Sequence, residues 1–356
     1  MARLDELFRM LKDQGGSDLH LAAGMKPHMR QHGVVAPIEG WPVHTDQTLR
    51  EHLKELASEK QWAHYSTNLD LDFAYSLPGV ARFRANYFNQ ERGAAAVFRI
   101  IPERIRTLEE LKAPAALNGL ASLEQGLVLV TGPTGSGKST TLAAIIDLVN
   151  TNTARHIITI EDPVEFVHQN KKSTLSQREV GVDTKSFANA LRSAIRQDPG
   201  VILVGEMRDM ETISLAITAA EMGVLVFGTL HTNSAPKTID RVIDAFPTDQ
   251  QQQVRTMLSE SLAAVVSQLL LRTPDGRGRV AVHEILLKTP GLPNVIREGN
   301  TPMISSIIQS GKGQGMQAMD DVLLKLAQDG KISAEDAFHK ATNKARFEPL
   351  LEGGGH

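Results

Sequence analysis

Gly132-Pro133-Thr134-Gly135-Ser136-Gly137-Lys138-Ser139 is the stretch on which the reading of this chain turns. It is a complete Gly-x-x-x-x-Gly-Lys-Ser run, placed directly after the apolar residues 127–130 and directly before a helical pattern over 140–149. That context is what the motif requires. Glycines let successive backbone N–H groups converge on phosphate oxygens, and the following helix N-terminus adds a favourable dipole. In such a loop Lys138 reaches the β- and γ-phosphates and Ser139 ligates Mg²⁺. The spacing predicts a nucleoside triphosphate site.

Working outward, residues 157–160, 201–204 and 224–227 are further short apolar runs, as expected of strands buried on both faces. Between two of them, Phe187, Ala190, Leu191, Ala194 and Ile195 fall on one helical face. This alternation predicts a mostly parallel, doubly wound α/β sheet. In such a sheet the C-terminal strand ends share one edge with the phosphate loop. Three of those ends carry candidate chemistry. Val201 to Val204 leads into Gly205-Glu206, an acid able to polarise an attacking water, although a surface acid at a strand end is the plainer alternative. Glu161-Asp162-Pro163-Val164-Glu165 follows 157–160 and can converge on the same edge, although any single acid there is more often part of a solvated turn than catalytic. Gly228-Thr229-Leu230-His231 ends the fourth strand, and His231 is placed to donate to a γ-phosphate. A lone histidine is more often structural.

Residues 1–101 have a different texture. Polar–apolar alternation at 18–21, 69–75, 80–89 and 94–101 reads as strands, with 29–35 as one more, a helix over 48–57 and an amphipathic helix at the start. A small α+β domain with an antiparallel sheet is predicted, followed by a linker at 102–125 and the main α/β domain at 126–356. The chain reads as all helical after about 290, and the Gly353-Gly354-Gly355 tail as unstructured. No signal peptide is visible, and no apolar run approaches the ~18 residues that span a bilayer. The longest, 262–271, is interrupted by Ser267 and Gln268. A cytoplasmic protein is expected. The chain has no cysteine, which excludes disulfides, thiolate nucleophiles and cysteine-ligated zinc or iron–sulfur centres. Net charge is −3 and aromatic content 4%, which argues against a protein that coats or tracks nucleic acid.

With these segments in order, the sequence resembles the type II/IV secretion ATPase superfamily, and within it the type IV pilus retraction ATPases. The matching stretches are the loop from Gly132 to Thr140, Thr159-Ile160-Glu161-Asp162-Pro163-Val164-Glu165-Phe166, Gly205-Glu206-Met207-Arg208-Asp209, and Thr229-Leu230-His231-Thr232-Asn233-Ser234-Ala235. The resemblance runs nearly end to end. It implies a RecA-like ATPase domain with a smaller N-terminal PAS-like domain and a helical C-terminal region, assembled as a homohexamer that uses ATP and Mg²⁺. It implies that Glu206 is the catalytic glutamate, with Glu161, Glu165 and His231 beside it. Arg82 and Arg84, in Ala81-Arg82-Phe83-Arg84, and Arg99 would complete the nucleotide site from the N-terminal domain. ATP would then draw the two domains together and hydrolysis release them, driving pilus retraction and twitching motility. The partners implied are an inner-membrane pilus platform protein, on which the motor docks from the cytoplasm, and a retraction paralogue.

Two departures from the family pattern stand out. Val224 occupies a place where a histidine is frequent, and Pro293 replaces an arginine in Gly291-Leu292-Pro293-Asn294-Val295-Ile296-Arg297-Glu298. Asn294, Ile296, Arg297 and Glu298 are kept as the expected platform contacts. The alternatives on the residues alone are an accessory retraction paralogue, an assembly or secretion ATPase, and a nucleotide-gated scaffold. Assembly and secretion relatives commonly carry a four-cysteine insertion, so the absence of cysteine moves the expectation toward retraction.

Overall fold

The computed structural model of the chain describes residues 3–31, 33–101, 104–276 and 278–352. The glycine tail and the first two residues of the expected linker lie outside them. The described residues form two compact units, one of residues 1–104 with 163–167, the other of 105–162 with 168–356.

The first unit is built on an antiparallel sheet of β1 (Asp18–Ala22), β2 (His28–Gln31), β3 (Val34–Pro37), β4 (Asp70–Leu77), β5 (Ala81–Gln90) and β6 (Gly93–Ile101), in the order β3-β2-β1-β6-β5-β4. This is the PAS-like arrangement. The helix Asp5–Asp13 is amphipathic, and its Leu7, Phe8 and Leu11 are fully buried. The Phe8 ring stands 4.5 Å from Phe83 and 4.9 Å from Phe98. Each such aromatic pair adds about 1 kcal/mol beyond area burial, so Phe8 is the pin of this core. The helix Asp46–Leu56 starts at Thr45, whose hydroxyl caps the Thr48 N–H while Thr48 bonds back to the Thr45 N–H. One expectation is corrected here. Residues 29–35 are not one strand but the facing halves of β2 and β3, paired antiparallel from Gln31↔Val34 outward. Gly33, at φ 87°, makes the reversal. A second helix, Glu59–Asn68, has too few apolar residues to betray itself in sequence, and only Tyr65 is buried on it.

The second unit holds β7 (Gly126–Thr131), β8 (His156–Glu161), β9 (Thr174–Glu179), β10 (Val201–Val204), β11 (Leu225–Leu230), β12 (Leu262–Arg272) and β13 (Arg279–Leu287). Their order is β13-β12-β7-β11-β10-β8-β9, parallel throughout except for β13 against β12. Helices cover both faces, which explains why β7, β10 and β11 are buried at every position. This is the RecA-like α/β fold. Residues 105–125 carry more structure than a linker needs, since Leu108, Leu117 and Leu120 are buried in this unit's core and 116–120 form a helix. After 290 the described chain is helical, apart from a bridge between Ile285 and Gln317. Val224 is a core residue, 8% exposed. Pro293 sits in the first turn of the helix Leu292–Arg297, where its missing N–H costs nothing.

Candidate nucleotide site

The register of the parallel sheet assembles the site. Val204 of β10 stands opposite Ile160 of β8 and Gly228 of β11, and Leu230 of β11 stands opposite Thr131 of β7. The residues that follow these positions are therefore brought to one edge: Glu161, Gly205-Glu206, His231 and the loop beginning at Gly132. Sequence reasoning had placed all four there from the strand pattern alone.

The loop is held open-handed by its glycines. Gly132 and Gly137 have φ of 147° and 86°, conformations that other residues avoid. Pro133, Thr134, Gly135 and Ser139 are exposed, whereas Ser136 is buried. Lys138 opens the helix Lys138–Asn152, and its Nζ donates to the carbonyl oxygens of Gly132 at 2.7 Å and Pro133 at 3.1 Å. The ammonium thus lies across the mouth of the loop. Thr140, in the first helical turn, lines a cavity of about 500 Å³ with Thr141, Leu270, Arg279 and Arg106. That size is in the range of small-molecule sites. Arg106 and Arg279 carry no motif, and nothing in the sequence marked them.

At the next strand ends, Glu206 is the hub. His231 Nε2 lies 2.9 Å from Glu206 Oε1, and Arg208 donates to the same oxygen. Oε2 has no protein partner among the described residues. Burial works to raise the Glu206 pKa, but the hydrogen bonds and charge of Arg208, then of His231, outweigh it and hold the carboxyl below its usual value. Glu206 is therefore an ionised acceptor with one oxygen anchored. Arg208 follows the glutamate by two residues, a signal the motif contained but that sequence reasoning did not use. Glu161 accepts from the Thr159 hydroxyl at 2.7 Å and from Gln177 at 3.4 Å, which ties β8 to β9.

The remaining candidates lie in the first unit. Arg82 and Arg84 alternate onto one face of β5, and Arg84 stands directly opposite Arg99 on β6. Arg84 Nη1 is 3.9 Å from Glu165, which belongs to this unit. Arg99 donates to Asp18 at 2.7 Å, and Asp18, 3% exposed, also accepts from the Ser17 hydroxyl. Arg99 thus already has a structural task.

For a hard cation the donor set is modest. Among the described residues no cluster of three or more His, Asp or Glu side chains is arranged to hold a metal. An exposed serine hydroxyl at a helix start suits Mg²⁺ that takes its other ligands from phosphates and water.

The family model described as type II/IV secretion system protein matches residues 4–338. The chain is 52% identical to the type IV pilus retraction ATPase PilT of Pseudomonas aeruginosa, over 97% of this chain and 99% of that one. It is 54% identical to the twitching motility protein of Neisseria gonorrhoeae over 89% of this chain and 84% of that one. With the type IV pilus ATPase PilU of P. aeruginosa it shares 43% identity, over 98% of this chain and 91% of the other. Among solved structures, the pilus retraction motor PilT with bound ADP superposes with a TM-score of 0.90 at 44% identity, covering 98% of this chain and 99% of that one.

Proposed function

The chain belongs to the type II/IV secretion system protein family, and on that premise we propose that it is an ATP-hydrolysing hexameric motor powering type IV pilus retraction. The observation that carries this reading is the meeting of Glu206 and His231, 2.9 Å apart, on the same sheet edge as the phosphate loop. A loop that only binds phosphate needs no carboxylate beside it, whereas hydrolysis needs a group that orients the attacking water, and an anchored Glu206 can be that group.

In this reading Gly132 to Thr140 wrap the β- and γ-phosphates of ATP, Lys138 swings from its own loop carbonyls onto the phosphate oxygens, and the 500 Å³ cavity takes the base and sugar. Ser139 holds Mg²⁺, which neutralises phosphate charge when bound. Glu206 keeps Oε1 on Arg208 and His231 and offers Oε2 to the attacking water, orienting it and taking its proton. With Nε2 protonated, His231 fixes that carboxylate and is placed to report whether the γ-phosphate is present. Glu161, steadied by Thr159 and Gln177, supplies a second carboxylate on the edge. Arg82 and Arg84 complete the site as arginine fingers, and their engagement and release convert turnover into movement around the hexamer. Glu165 competes with phosphate for Arg84.

Among the described residues no helix is long and apolar enough to cross a membrane, which supports a motor docked peripherally on an inner-membrane platform protein. Asn294 and Glu298, exposed and one helical turn apart, are the docking residues that survive. Ile296 is fully buried in the core and is withdrawn from that surface. Arg297 braces the same turn, reaching Ser259 at 3.4 Å.

Purified protein and a deletion strain test the proposal together. Parent turnover of ATP should vanish in Lys138→Ala with nucleotide binding, and fall about 100-fold or more in Glu206→Gln with binding kept. Cells lacking the protein should carry many pili and not move. Bald cells would overturn retraction, and a parent without turnover would overturn the motor.

A further inference from the structure

Gln268 lies in the middle of β12 and is 2% exposed, yet every polar atom of its amide is engaged. Its Nε2 donates to the Ser136 carbonyl oxygen at 2.7 Å. Its Oε1 accepts from the Thr141 hydroxyl at 2.8 Å and from His283 Nε2 at 3.2 Å. His283 is its direct cross-strand neighbour on β13. These partners fix the amide without ambiguity. A carbonyl oxygen only accepts, so the NH₂ end must face Ser136, and the oxygen end must then face Thr141 and His283. His283 must therefore carry its proton on Nε2. Burial pushes its pKa down to about 4, so the ring is neutral at physiological pH.

The same residue presses against the two glycines that frame the loop. A methyl group on Gly132 would overlap the backbone carbonyl oxygen of Gln268, and one on Gly137 would stand 2.9 Å from the side-chain Nε2 of Gln268. The loop is thus moulded on Gln268 from its protein side, as phosphate would mould it from the other.

The consequence follows from the geometry of one peptide. In a trans peptide the C=O and the next N–H point in opposite directions. Tying the Ser136 carbonyl inward to Gln268 therefore aims the Gly137 N–H outward, to the side where a phosphate oxygen would accept it. We propose that Gln268 is a positioning residue for the phosphate loop, and that His283 acts on nucleotide binding only through it. The inference rests on the nucleotide reading above and adds to it a pair of residues outside every motif.

The pattern of binding and turnover in variants tests it. Gln268→Met keeps length and burial but removes the donor, and Gln268→Glu puts an oxygen against the Ser136 carbonyl. Each should raise the nucleotide Kd and the KM for ATP at least about tenfold, the scale of one oriented N–H to a charged acceptor, while kcat at saturation stays within about threefold. His283→Leu should raise Kd about threefold, and His283→Gln, which restores an N–H donor, should return it to the parent value. The double variant Gln268→Met with His283→Leu should bind no worse than Gln268→Met alone. Should Gln268→Met prove poorly folded, Thr141→Val releases the other end of the amide and should raise KM with an intact melting profile. A Gln268→Met protein with parent affinity, or a loss confined to kcat, overturns the role of Gln268. Additive single effects overturn the linkage of His283. A parent chain that binds no nucleotide overturns the functional reading and this inference together, whereas a tight-binding Gln268→Met variant overturns this inference alone.

Discussion

Replacing Gly205 with alanine adds one methyl group where β10 runs out beside β8. Its Cβ would meet the Ile160 carbonyl oxygen at 3.1 Å and the Glu161 Cα at 3.2 Å. Both are backbone atoms, so neither can rotate aside. The Gly205 N–H already donates to that same Ile160 oxygen at 2.7 Å, and the Thr229 hydroxyl donates to the Gly205 carbonyl, so the residue is held from both neighbouring strands. Ordinary contact begins about 0.3 Å further out, and the strand end must move by about that much. Overpacking of this kind costs about 1–3 kcal/mol. Glu206 is the next residue, so the displacement passes to the carboxylate. If a 1 Å misplacement costs about 100-fold in rate, 0.3 Å costs about fourfold. The phosphate loop lies on β7, two strands away, and is untouched. Gly205→Ala should therefore lower kcat for ATP about three- to tenfold, leave the nucleotide Kd within about twofold, and lower the melting midpoint of the second unit modestly. Steady-state turnover, nucleotide titration and thermal denaturation read the three quantities separately. A variant with parent kcat would refute the claim that this glycine sets the position of Glu206. So would a Kd that rose in step with the fall in kcat.

Acid should weaken the second unit between pH 7 and pH 5. His168 and His283 are both held to a pKa of about 4 by burial, against an ordinary value of 6.5. Their neutral forms stabilise the fold fully above about pH 6.5, and that contribution is lost as pH falls toward 4. Each loses about 2 kcal/mol between pH 7 and pH 5 by that linkage, so denaturant melts should show a steep slope there that His168→Gln reduces by about half. In the first unit, burial works to raise the Asp18 pKa, but the Ser17 hydroxyl, Arg99 and Arg30 hold it below its ordinary value. Its stabilisation is present above about pH 4 and is lost as pH falls through the lowered value, and Asp18→Asn should remove that slope. Arg99→Gln should destabilise this unit through the loss of its bond to Asp18, whereas Arg82→Gln should impair ATP turnover. The reverse pattern would exchange their roles.

The sheet edge was legible because a parallel sheet turns strand order into position. Four apolar runs, each ending in a glycine, an acid or a histidine, were enough to bring Gly132, Glu161, Glu206 and His231 together without any contact being known. The antiparallel part of the same sheet was not legible. Residues 262–271 read as an apolar run spoiled by Ser267 and Gln268, and no helix or strand was assigned to them. The two polar residues are in fact the reason for the strand's position. The Ser267 hydroxyl meets that of Thr131 at 2.9 Å, in the last pair of the β12–β7 ladder, and Gln268 meets the phosphate loop, so β12 turns polar where that ladder ends against the loop. A buried polar residue is costly unless it is paired, and its partner here lies 132 positions away in sequence. No local pattern encodes such a pairing. Arg106 and Arg279 escaped for the same reason, since their cavity is closed by segments far apart in the chain. Motif spacing reports groups that act on phosphate, whereas groups that hold those groups in place are dispersed through the fold. The interruption at Ser267-Gln268 was the visible trace of the second kind, a break in hydrophobicity that the fold keeps because the loop is built against it.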